Sequence, residues 1–101
     1  MKVLIVDAHP PSAQYLCQGL CQDGFNVDVA HDGRQGRDMA LSRAYSLVVL
    51  DLDLPGLSGR EVLQALRRAT STPAIVVAAN DSLEDQVFCL QHGADDYLVK
   101  P

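Results

Sequence analysis

The chain has 101 residues, enough for one domain that buries roughly two thirds of its unfolded surface, so a packed core needs no disulfide or metal staple. A formal charge of −5 and a pI near 4.8 leave no basic face for nucleic acid, and no apolar run is long enough to span a membrane. No secretory leader is read at Met1-Lys2, and three cysteines without framework spacing suit a reducing compartment, so a cytoplasmic location is expected.

Val3-Leu4-Ile5-Val6 is a continuous apolar run ending in Asp7, too short for a helix and rich in β-branched residues, and it reads as a central strand. Pro10-Pro11 opens a helix of about three turns, in which Ala13, Leu16, Cys17, Leu20 and Cys21 recur at three-and-four spacing before Gly24 stops it. Cys17 and Cys21 are read there as buried small apolar residues, and Cys89 likewise. Val27 and Val29 alternate with polar residues, which predicts a half-buried strand at or near an edge. Asp32 with Gln35 marks a helix cap, followed by a weaker amphipathic pattern through Met39, Ala40 and Arg43-Ala44.

Leu47-Val48-Val49-Leu50 is a buried strand, and Asp51 and Asp53 follow where it must surface, ahead of a Pro55-Gly56 turn. Carboxyl ends of parallel strands are where open α/β sheets hold their ligands, so Asp51 is the leading candidate site residue. Ser58 to Glu61 has the pattern of a capping box, and Val62, Leu63, Leu66 and Ala69 mark the buried side of the helix it starts. Ala74 to Ala78 is a further apolar strand. Leu83, Val87 and Leu90, at i, i+4 and i+7, then predict the buried stripe of a helix that ends at Gly93. Phe88 falls off that stripe, which leaves it either facing solvent as a protein contact or folded back onto its own helix. Tyr97-Leu98-Val99 is a last short strand. The alternation of strands and helices predicts one α/β domain over residues 1–101, a doubly wound parallel sheet with helices on both faces.

Asp7, the segment Leu50 to Gly59, and the ending Gly93-Ala94-Asp95-Asp96-Tyr97-Leu98-Val99-Lys100-Pro101 resemble the receiver domain of bacterial two-component response regulators. The wording is most similar to the subfamily that carries a winged-helix DNA-binding domain downstream. The resemblance implies a flavodoxin-like fold of five parallel strands in the order 2-1-3-4-5, and a histidine kinase that phosphorylates Asp51. It implies Mg²⁺ held by Asp7, Asp51 and the backbone carbonyl of Asp53, with Lys100 paired to the phosphoryl oxygens, aimed by a Lys100-Pro101 bond that is usually cis. A homodimer through the fourth helix and fifth strand is also implied, with Asp95 and Asp96 near its salt bridges. The residue types suit the chemistry independently, since phosphoryl transfer to a carboxylate needs an exposed Asp, a screening dication and a fixed cation.

Two positions depart from the family pattern. Ala8 stands where a second acid normally ligates Mg²⁺, and Ala78 stands where a Thr or Ser hydroxyl normally bonds the phosphoryl group, although Tyr97, its usual aromatic switch partner, is present. Weak Mg²⁺ binding and slow or poorly coupled phosphorylation are therefore expected, and a receiver that works without phosphorylation stays open beside a weakened one. His9 is a possible substitute ligand, though its place beside Pro10 suits a turn better. The family's final helix has no counterpart before Pro101, so apolar sheet surface is expected to be exposed and the chain reads as an N-terminal fragment of a longer regulator. Leu50-Asp51-Leu52-Asp53 also resembles the Asp-x-Asp motif of haloacid-dehalogenase-like phosphatases, but their motif follows the first strand of a longer fold. A pure dimerisation module is the remaining alternative.

Overall fold

In the computed structural model, which describes residues 1–100, each apolar run bounded by turn residues is a strand, one helix starts at Pro10-Pro11 and the other three start at side-chain caps from Asp32, Ser58 and Ser82. The order is β1 (Lys2–Val6), α1 (Pro10–Gln22), β2 (Asn26–Ala30), α2 (Gly33–Ser42), β3 (Leu47–Asp51), α3 (Gly59–Ala69), β4 (Ala74–Ala78), α4 (Leu83–Gln91) and β5 (Asp96–Val99). The five strands are all parallel, in the order β2-β1-β3-β4-β5. The chain is thus an α/β, flavodoxin-like domain. Strand β2 lies at an edge, as its alternating pattern predicts.

The sheet divides the core in two. Leu4, Val6, Val48, Leu50, Val62, Leu63, Leu66, Val76 and Cys89 fill the side covered by α2, α3 and α4, whereas Val3, Ile5 and Val49 meet Leu16, Cys17 and Leu20 of α1 on the other. Helix α1 is the only one among the described residues on that second face, and it does not reach β5. Leu98, in register with Val77, is 48% exposed there, in keeping with the expected uncovered sheet surface.

Three readings of helix faces are corrected. Cys21 is exposed and Cys17 only half-buried, because α1 turns Ala13, Leu16 and Leu20 toward the sheet and carries both thiols on its flank. Ala69 is exposed, and α2 ends at Ser42, so Arg43 leaves the helix to pair with Asp28. On α4 the stripe is reversed: Leu83, Val87 and Leu90 are 73%, 45% and 49% exposed, and Cys89 is the buried residue. The adjacent Phe88 and Cys89 face the core instead, on the side where Arg60 of α3 pairs with Asp85 and lies 4.3 Å over the ring of Phe88.

Candidate functional site

Asp7 follows β1 and donates its N–H to Ala30 at 2.9 Å, which extends the ladder beyond the strand and fixes its side chain at the carboxyl edge of the sheet. Asp51 is the last residue of β3. Both carboxylates are nearly sealed from solvent, at 2% and 5% exposure for the whole residues. Lys100, one residue past β5, donates its N–H to Ala78 at 2.8 Å, so the parallel ladder again carries a side chain to the same edge. Its ammonium lies 3.0 Å from Asp51 Oδ2 and 3.4 Å from Asp7 Oδ2. The parallel sheet thus brings together three residues spread over the whole chain.

The other oxygen of each acid is also occupied. Asp51 Oδ1 accepts the N–H of Asp53 at 3.1 Å, and Asp7 Oδ1 accepts that of His9 at 2.8 Å. These turns close over the strand ends and orient the carboxylates. Burial pushes the Asp51 carboxyl above its ordinary range; the hydrogen bonds from Lys100 and Asp53 oppose this without cancelling it, and the charge of Asp7 adds to it. Burial works against the Lys100 charge, but its bond to Asp51 and the two carboxylate charges outweigh it and hold the ammonium above its ordinary range.

The loop beneath the site is shaped by glycine. Gly56 has φ +71, which the turn after Pro55 requires. Gly59, at the start of α3, packs so closely on β3 that a Cβ there would stand 2.5 Å from the Asp51 carbonyl oxygen and 2.6 Å from Leu52 Cα. Ser58 caps the helix by accepting the Glu61 N–H at 3.3 Å.

Ala8 is half-buried beside Asp7 and supplies no ligand, and His9 turns its Nδ1 to Ser12 Oγ at 2.8 Å. Among the described residues no group of three or more His, Cys, Asp and Glu side chains converges on one point. Two carboxylates with a nearby backbone carbonyl fit a hard cation that retains several waters, but with one carboxylate fewer to offset its charge. Ala78 is 1% exposed and presents only a methyl group, while Tyr97 packs on the core with its hydroxyl donating to the Asn80 carbonyl at 3.2 Å. The Lys100-Pro101 bond lies outside the described residues.

The expected surface residues separate. Phe88 is half-buried, stacked on His92 at 4.0 Å beneath Arg60, so it folds back onto its own helix and is not a free aromatic at the surface. Asp95 has an internal use: its carboxylate accepts the Ala74 N–H at 2.8 Å and lies 3.7 Å from Arg67. Asp96 is exposed. The roles of Arg60 and Arg67 leave no local mark, because their partners Asp85, Gly93 and Asp95 lie 25 to 28 residues further on and only the packing of α3 reveals them.

The parallel sheet of order 2-1-3-4-5, with acids at the ends of β1 and β3 and a lysine after β5, defines a class, and the comparison with known families agrees. The chain belongs to the response regulator receiver domain family, which matches residues 3–101. It is 44% identical over its whole length to the transcriptional regulatory protein HprR of Escherichia coli (strain K12), of which it covers 45%. The chain therefore spans about half the length of the curated relatives it matches. Among solved structures, the Francisella response regulator 1452 receiver domain superposes with a TM-score of 0.93 at 35% identity, covering 99% of this chain and 84% of that one. TrrA of Thermotoga maritima, solved in complex with Mg(2+)-BeF, gives 0.90 at 30% identity over 99% of this chain and 86% of that one.

Proposed function

We propose that this chain is the signal-receiving part of a cytoplasmic transcriptional response regulator, with Asp51 as a weakened phosphoacceptor. The supporting observation is the convergence of Asp51, Asp7 and Lys100, with one ammonium hydrogen-bonded to both buried carboxylates. A carboxylate oxygen of Asp51 attacks the phosphorus of a kinase phosphohistidine while the P–N bond breaks and the imidazole leaves. Lys100 then exchanges carboxylate oxygens for phosphoryl oxygens, so the charge that forms is met by a cation already in place. Asp7, Asp51 and the carbonyl of Asp53 would hold Mg²⁺, which when bound screens the phosphoryl oxygens. With Ala8 in place of an acid its affinity is reduced, and with Ala78 in place of a hydroxyl the phosphorylated state gains little over the free one.

Output runs through neighbours. The exposed Leu83, Val87 and Leu90 of α4 and Val99 of β5, which lie on one side of the sheet, form an apolar surface suited to a homodimer, with the exposed Asp96 on the same edge strand. A covalently linked winged-helix DNA-binding domain accords with the greater length of HprR and with its name as a transcriptional regulator. Two features favour a second reading, in which the domain signals without phosphate: Lys100 is already bonded to both acids, and Tyr97 is already bonded to Asn80.

Backbone amide shifts followed through a Mg²⁺ titration, and then with beryllofluoride, separate the two. Saturable shifts around Asp51 that appear only at high Mg²⁺ support the weakened phosphoacceptor. A folded sample with no shifts at saturation would make Asp51 vestigial and leave dimerisation as the mode of signalling.

A further inference from the structure

Helix α1 carries two thiols one turn apart, Cys17 packed partly against the sheet and Cys21 outside it. Cys21 is exposed, Cys17 is half-buried, and their Sγ atoms lie 3.8 Å apart. They line an open groove of about 470 Å³ together with Pro10, Ala13, Val29 and His31.

That separation has a chemical meaning. Metal–sulfur bonds of roughly 2.3 Å meeting at a tetrahedral angle set two thiolate sulfurs about 3.8 Å apart, so the pair already has the bite of a dithiolate chelate. A disulfide is a poorer match. Residues four apart on a helix hold their Cβ atoms about 5–6 Å apart, whereas a disulfide needs about 3.5–4.5 Å, so oxidation would have to unwind a turn of α1. Burial and the hydrogen bond with Cys21 also hold the Cys17 thiol above its ordinary range, which makes it a poor standing nucleophile.

We propose that Cys17 and Cys21 form a chelating thiol pair for a soft divalent cation of the zinc and cadmium class, a site separate from the acids around Asp51. Each sulfur–metal bond that forms releases the thiol proton to solvent, and no oxidant or reductant takes part. Thiolate softness excludes Mg²⁺ from this site as firmly as the all-oxygen donors of Asp7 and Asp51 select for it. With two ligands from α1 and no third His, Cys, Asp or Glu converging on them among the described residues, the remaining positions are left to water in the open groove.

The test is a titration of the reduced chain with Cd²⁺, read by the ultraviolet charge-transfer band of cadmium thiolate. Expected is saturation at no more than one ion per chain, unaffected by excess Mg²⁺ and retained in Cys89→Ala, whose sulfur is buried away from the groove. Cys17→Ser and Cys21→Ser are each expected to weaken binding at least about tenfold, since either change converts a chelate into a single thiolate. A single-thiol variant that binds as tightly as the parent overturns the proposal, as does a band abolished by Cys89→Ala. Because Cys21 is exposed, Cys21→Ser leaves the core intact, and circular dichroism confirms that any loss is not unfolding.

Discussion

At the scale of single residues, Asp51 and Lys100 act on stability in opposite directions. The folded state raises the pKa of Asp51, so its contribution to stability is present below the ordinary carboxylate range and is lost as pH rises through the raised value. At neutral pH the Asp51 charge therefore works against folding. Asp51→Asn is expected to raise the urea midpoint at pH 7, with an advantage that closes as pH falls and the parent carboxyl takes up its proton; a constant advantage across that range would contradict the assignment. Lys100→Met should do the reverse, since Asp7 and Asp51, with side chains 3% and 6% exposed, lose the cation they share. A loss of about 3 kcal/mol at pH 7, shrinking in acid, is expected in the same denaturation series. The expectations for Asp7, Asp51 and Lys100 came from one sequence, yet their hydrogen bonds to Asp53 and His9 became visible only once the strand ends were set side by side.

At the scale of elements, α3 is tied to the site and α4 to the surface. The Ser58 cap and the Gly59 contact seat α3 against the carbonyl of Asp51. Ser58→Ala should cost about 1 kcal/mol through the lost cap, and Gly59→Ala about 1–3 kcal/mol through overpacking, the second also shifting the amides around Asp51. Both are read from thermal unfolding and a spectrum of the folded variant. For α4 the reversed stripe separates two classes of substitution. Val87→Glu or Leu90→Glu should leave stability nearly unchanged and abolish any self-association seen by sedimentation equilibrium, whereas Phe88→Ala should cost about 2 kcal/mol, less than a fully buried Phe, and leave association intact. The capping residues were legible because a cap is local, made between residues three apart. The inward face of α4 was not, because Leu83, Val87 and Leu90 carry the helical period whereas the adjacent Phe88 and Cys89 that face the core show none, so the period points to the wrong face.

At the scale of the whole molecule, the sheet gathers charge at one edge and leaves apolar surface at the other end of its order. Ala8→Asp would place a third carboxylate beside Asp7 and Asp51, with Lys100 as the one cation bonded to both existing acids. Without metal that crowding is expected to lower the melting temperature; with Mg²⁺ it should be restored, and Mg²⁺ affinity by calorimetry should rise at least about tenfold. If the affinity stays at the parent's value, the missing acid is not what limits the site. Adding Ala78→Thr should extend beryllofluoride-induced shifts from Asp51 to Tyr97, because the hydroxyl gives the phosphorylated state a contact that the methyl group cannot. Ala78 is itself a buried core residue, so circular dichroism must show that the Ala78→Thr variant is folded before its shifts are compared.

The sequence by itself determined the element order, the parallel sheet and Asp51 at a strand end, because buried strands, the Pro-Gly turn and helix caps are written in short windows whose physics is local, while Asp7 and Lys100 were expected from the family resemblance. Family wording determined the departures at Ala8 and Ala78. Only the tertiary structure decided which helix faces are inside, that Cys17 and Cys21 bring their sulfurs to 3.8 Å at one groove, that Asp95 is bound within its own chain, and that one ammonium hydrogen-bonds two acids. Each of these depends on how helices pack on the sheet or on a partner brought from a distant part of the chain, and neither leaves a periodic mark in the sequence.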